Sequence, residues 1–202
     1  MTSKTSCFDS AIFRRDVRRG APLWSLFLLI LLVALPLPLS NFADHLRRQQ
    51  AFSIDVQYQI LSVGHMLASV GSSLYGLAAA WLAFYYLFTG KSANFYAALP
   101  VRREAMFATH YLAGLTIHIV PMLLISAVTF AASAMVGAPQ LGACAQVFSE
   151  NVLSFLFFYN FAVLCCMIVG NAIMMPIVYF ILNFAIPVVE LMIRTVLQAF
   201  VY

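Results

Sequence analysis

The side chains able to do chemistry are few and scattered along this chain. Gly71-Ser72-Ser73 lies in an apolar stretch, as do His65 and His118. That combination raises serine hydrolysis within a membrane, where a histidine on one helix activates a serine on another. No glycine directly follows the serines and no helix carries a matching histidine motif, which makes an intramembrane hydrolase the weaker reading. The seven acidic residues are dispersed and form no paired-aspartate motif. Gly90-Lys91-Ser92 ends like a phosphate-binding loop, but Tyr85 stands where the earlier glycine belongs, and one glycine cannot hold open a cradle of backbone amides. Of the four cysteines, Cys7 falls in a polar leader, Cys144 in an expected loop, and Cys165 and Cys166 within an apolar run. They show no CxxC or Cys/His metal spacing and read as small hydrophobes and incidental thiols. Glu190 and Arg194 stand i to i+4 with the acid first, the favourable order for a helical ion pair, and are either snorkelling charges or a gate. The expectation is a chain with no catalytic site, metal or cofactor of its own, so that any ATP would be bound and hydrolysed by a partner subunit.

The elements that carry these residues follow from composition. Of 202 residues, 63% are hydrophobic and 9% charged, against about 25% charged in a soluble domain. So few polar groups cannot cover a water-facing surface, so the outside must face lipid. The net charge of +4 and pI near 9.0 do not indicate nucleic acid, because the basic residues flank apolar spans, where positive charge sets orientation.

A helix crossing the hydrocarbon needs roughly 20 apolar residues, and charge-free runs place such spans at about 22–40, 60–88, 107–136, 152–169 and 172–191. Between the first two, residues 41–59 are too polar to cross. Gly137-Ala138-Pro139 should stop the third span and begin a weakly polar loop that lasts to Asn151. The 39 residues from Asn151 to Val189 carry no charge and are too many for one crossing. Gly170-Asn171 is the expected break, by a left-handed cap or tight turn. The fold class is therefore an all-α integral membrane protein of about five transmembrane helices. A leader, residues 1–21, precedes a transmembrane domain, residues 22–202.

Eight Lys and Arg residues fall on the side of the leader and of the second connection, and three on the other, which places the amino terminus in the cytoplasm. In the leader, Phe8, Ile12, Phe13 and Val17 share one helical arc, with Arg14, Arg15, Arg18 and Arg19 mostly opposite. An interfacial amphipathic helix is expected, its basic side toward anionic headgroups. The apolar run after it is long and lacks a small-residue cleavage site, so the leader is expected to remain on the mature protein. In the second span, Gly64, Ala68, Ser72, Gly76 and Ala80 recur every fourth residue, a ladder that lets another helix approach closely.

The segment FYYLFTGKSANFYAALPVRREAMFATHYLAGL, from Phe84 to Leu115, resembles the type-2 family of ABC-transporter permeases. The shared order is an aromatic helix end, a short segment, Leu99-Pro100, the basic pair Arg102 and Arg103, and a helix opening with Tyr111-Leu112-Ala113-Gly114. The resemblance implies that residues 92–104 form a coupling element that docks on a separate cytoplasmic ATPase. Ser92 can cap a short turn that Pro100 ends, with Phe95, Tyr96 and Leu99 as apolar anchors beside the rim formed by Arg102 and Arg103. It further implies a second permease chain or a homodimer, bound ATP on the partner, and export as the direction. Such permeases have six spans, so the chain reads as the front portion of a longer permease or a short form whose missing span a partner supplies. The rival expectation is a membrane anchor or accessory protein that transports nothing, in contact with lipids alone.

Overall fold

The computed structural model describes residues 9–39, 52–98 and 102–201, and among these it is helical with no strand. Helix α1 (Ser10–Arg19) starts where the Asp9 carboxylate accepts the amides of Ala11 and Ile12 at 2.8 and 3.1 Å, a side-chain N-cap. Arg18 and Arg19 close its last turn, where cations suit the helix dipole. Gly20 joins it to α2 (Ala21–Ala34), which opens with Pro22 in its first turn. Phe8 of the expected leader arc lies outside the described residues.

Helices α3 (Phe52–Met66) and α4 (Ser72–Phe84) form one rod, joined by a π-helical turn over Leu67–Gly71. A 3₁₀ turn, Tyr85–Phe88, leads to the short α5 (Gly90–Ala97). Then come α6 (Arg103–Val136), α7 (Leu141–Ile168) and α8 (Met174–Val201). Among the described residues, five helical stretches are long and apolar enough to cross a membrane: Ala21–Leu39, Ser53–Phe88, Arg103–Val136, Leu141–Ile168 and Met174–Gln198.

These spans correct the sequence boundaries. Residues 141–151 are helix, not loop, so the fourth span begins eleven residues earlier than expected, and Cys144 is buried on a helix. The second span likewise starts within the stretch read as polar. Boundaries drawn at charges fail because one exposed charge does not stop helical hydrogen bonding. Asp55 and Glu150 both ride on helices. At 1.5 Å per residue α6 is about 51 Å long, well beyond a hydrocarbon core of about 30 Å, so it must project or tilt.

The two breaks have different chemistry. Gly137 ends α6 with φ 93°, and the Ala138 amide donates to the Ser133 carbonyl at 3.0 Å, closing a left-handed cap before Pro139. The break expected at Gly170-Asn171 is there, with a turn at Ala172-Ile173, but it has no left-handed cap, since Gly137 is the described residue with positive φ. Instead Val169 is extended, and the Asn171 side chain accepts the Ile173 amide at 2.9 Å to start α8.

The core lies where α4 crosses α7. All five small residues, Gly64, Ala68, Ser72, Gly76 and Ala80, are buried. A Cβ on Gly76 would come within 3.1 Å of the Tyr159 backbone nitrogen, and one on Gly64 within 2.3 Å of a Val147 methyl. Gly76 therefore lies directly against the backbone of α7, and Gly64 against the Val147 side chain. Asn151 fastens the upper part of this seam, donating to the carbonyls of Gly64 at 3.2 Å and Val147 at 2.8 Å. By contrast α8 is held mainly near its start, where Met175 and Tyr179 are buried and the Tyr179 hydroxyl donates to the Ser73 carbonyl at 2.9 Å. Most of its remaining length is exposed.

Candidate functional site

The strongest cluster of polar and aromatic side chains gathers where α1, α5 and the start of α6 meet. Helix α5 follows Thr89, whose backbone is extended and whose side chain makes no cap. Ser92 lies inside the helix, so the expected Ser92 cap is not formed. The two aromatics of α5 touch edge to face at 5.6 Å but differ in exposure. Phe95 is 56% exposed, whereas Tyr96 is 7% exposed and turned inward. Only Phe95 of this pair is therefore an outward anchor, and the exposed Arg102 and Arg103 stand at the start of α6 nearby in sequence. Leu99 and Pro100, expected anchors of the same loop, lie outside the described residues.

Tyr96 packs into a second layer that composition alone does not reveal. Its ring lies 4.8 Å from Tyr86 and 5.4 Å, edge-on, from His110. His110 stacks on Tyr86 at 4.4 Å, and its Nδ1 donates to the Asp16 carboxylate of α1. The Arg15 guanidinium sits 6.0 Å over the Tyr96 ring and that of Arg19 5.1 Å over Tyr85. The Asp9 amide donates to the Thr109 hydroxyl at 3.1 Å. Burial raises the Tyr96 phenol above the ordinary tyrosine value, against a lowering by Arg15. Tyr96 is thus the shared partner through which α5 touches both α1 and α6. None of these groups is a poised nucleophile; what the arrangement does is tie α5 to the leader helix α1 and to the start of the span α6.

A second cluster lies deeper. His118 is buried, stacked on Phe155 at 3.8 Å and on Phe27 at 5.1 Å, with Tyr75 at 5.3 Å. Neither of its ring nitrogens makes a well-formed hydrogen bond among the described residues. The Ser72 and Ser73 hydroxyls donate to the carbonyls of Leu67 and Val70 on their own rod, and His65 pairs with Glu150 of α7 at 2.8 Å. No described serine is hydrogen-bonded to a histidine. Glu190 and Arg194 pair at 2.6 Å on the exposed part of α8. Cys144, Cys165 and Cys166 are buried free thiols, and no group of three His, Cys, Asp or Glu residues converges among the described residues.

Sequence reasoning passed over Asp16, Tyr86 and His110. A histidine directly before Tyr111 in the segment carrying the family likeness was the available signal, but its carboxylate partner is 94 residues away. Glu150 was missed because its stretch was read as loop. Comparison with known protein families, curated proteins and solved structures gives no match for this chain.

Proposed function

We propose that this chain is the membrane-spanning subunit of an ATP-driven transporter of the ABC type, an exporter whose α5 docks on a separate cytoplasmic ATPase. In this reading the amino terminus and α5 are cytoplasmic, as the distribution of Lys and Arg favours. A second copy or a second permease chain completes the translocation path, and ATP stays on the partner. One observation carries the proposal: a short helix between the second and third spans presents Phe95 outward while Tyr96 anchors it inward. An exposed aromatic on a braced helix suits a docking hot spot better than a passive loop. Closure of the ATPase would press on α5 and move α1 and α6 together.

The test is affinity purification of the tagged full chain from its own cells, with ATP hydrolysis in the eluate as the readout. Wild type should recover ATPase activity, and Phe95→Ala should lose most of it while the chain stays monodisperse. A Trp81→Ala control should not. Equal recovery in Phe95→Ala would sink the docking role, and no ATPase with wild type would favour a non-transporting anchor.

A further inference from the structure

An apolar groove of about 180 Å³ opens on the outside of the bundle between α1–α2 and α6, walled by Val17, Trp24, Leu28, Val120 and Leu124. Its one hydroxyl, on Thr116, already donates to the Leu112 carbonyl at 2.8 Å. A polar ligand would find almost nothing to bind there, and a hydrocarbon chain would. The groove runs along α6 from Thr116 to Leu124, roughly 12 Å at the helical rise. It begins beside α1, whose Asp16 meets His110 and whose following Gly20 lies against Ile117.

The four arginines of α1 divide into two kinds. Arg15 and Arg19 are engaged over the rings of Tyr96 and Tyr85. Arg14 and Arg18 are exposed, have no partner among the described residues, and share one open cleft with Ser10, Ala11 and the ring-engaged Arg15. Spaced i to i+4, they stand on one face. Val17, whose side chain walls the groove, is three residues after Arg14 and one before Arg18, so on the helix the two cations stand about 60° and 100° around from it, on the flank between the groove and the cleft.

We propose that this pair of features is a binding site for one anionic glycerophospholipid: its phosphate on Arg14 and Arg18, one acyl chain in the groove between α2 and α6. Guanidinium pairs match phosphate oxygens in forked geometry, and Trp24 sits where an indole meets the interface. A zwitterionic lipid satisfies the phosphate but adds a cation beside two arginines. The bound lipid bridges α1 to α6, the same two elements that Tyr96 links to α5. The site rests on the membrane setting and needs no ATPase, so its failure and that of the transporter reading are separable.

The test uses the purified full chain in detergent, with retained lipid counted by native mass spectrometry and thermal midpoint as a second readout. The probes are dioleoylphosphatidylglycerol, dioleoylphosphatidylcholine and glycerol 1-phosphate. Wild type should retain phosphatidylglycerol over phosphatidylcholine and gain midpoint with it. Arg14→Gln with Arg18→Gln should weaken that retention by roughly thirtyfold, from the attraction expected of two basic residues at a membrane surface. Val120→Trp, which fills the groove from an exposed position without altering charge, should weaken it comparably. Equal retention of the two lipids by wild type overturns the site. So does undiminished retention in Val120→Trp, or a glycerol 1-phosphate effect as large as that of the lipid, since either reduces it to headgroup adsorption.

Discussion

The Tyr75 hydroxyl donates to the Ile117 carbonyl at 2.9 Å, across the interface between α4 and α6. That carbonyl is the one Pro121 leaves without a donor, because proline four residues on has no N–H. A phenol from the neighbouring helix thus replaces a missing intrahelical bond, which is how membrane helices tolerate an internal proline. Tyr75→Phe should therefore cost about 1–3 kcal/mol, since a buried acceptor loses its partner. In a Pro121→Ala background the new amide can supply the bond, and the same Tyr75→Phe change should cost distinctly less. A double-mutant cycle on chemical denaturation in detergent measures the difference, and additive costs would refute the coupling.

The close approach of α3 to α7 at Gly64 gives a size-dependent prediction. A methyl at that position would overlap the Val147 side chain, the nearest atom at 2.3 Å, so Gly64→Ala should destabilise by about 1–3 kcal/mol. Val147→Ala should restore much of the loss, because it vacates the space the new methyl needs. At Gly71 the nearest atoms are 3.6 Å away on Leu67 of the same rod, so Gly71→Ala should be close to neutral. Thermal melts of Gly64→Ala, of Gly64→Ala with Val147→Ala, and of Gly71→Ala decide it, and equal losses at Gly64 and Gly71 would mean the contact is not what limits packing.

What the sequence made legible was whatever a one-dimensional pattern encodes. Charge-free runs revealed five spans, and the fourfold spacing from Gly64 to Ala80 revealed a buried seam. The turn at Gly137 also followed from its residues. Helix ends at Ser53 and Leu141 were not legible, because Asp55 and Glu150 look like loop charges until a helix and, for Glu150, a His65 partner are seen. The different exposure of Phe95 and Tyr96 was hidden for a related reason: adjacent residues on a helix differ by about 100°, and composition cannot say which faces in. Asp16 and His110 come together only through tertiary structure.

That contact sets the attachment of α1. Asp16 accepts from His110, and loss of the charged acceptor should loosen the helix from α6. Asp16→Asn is expected to speed amide exchange over residues 10–19 by about tenfold, in line with about 1.5–3 kcal/mol for a hydrogen bond to a charged group, part of which the amide side chain can retain. Arg14→Gln, on the exposed side of α1, should leave exchange near wild type in detergent free of anionic lipid. Hydrogen exchange read by mass spectrometry distinguishes the two, and unchanged rates in Asp16→Asn would show that α1 is held by its apolar face alone.

His118 occupies an environment that would suit phenylalanine. Its ring is parallel to Phe155 within 9°, and both nitrogens are buried without a well-formed hydrogen bond, the Asn151 backbone lying close by. Burying a polar group without a hydrogen bond costs about 1–3 kcal/mol on protein scales, while the stacking that surrounds it is available to any flat ring. His118→Phe should therefore raise stability, by about 1 kcal/mol once the slightly larger ring is fitted, and His118→Ala should lower it by leaving a cavity between Phe27 and Phe155. A fall in stability for His118→Phe would mean that the imidazole nitrogens do find partners in the folded chain. If the phenylalanine variant is more stable and still co-purifies with ATPase activity but no longer stimulates turnover, the histidine is there for a conformational step. Under the proposed transporter reading, a residue that lowers ground-state stability would serve repacking of the bundle between two states.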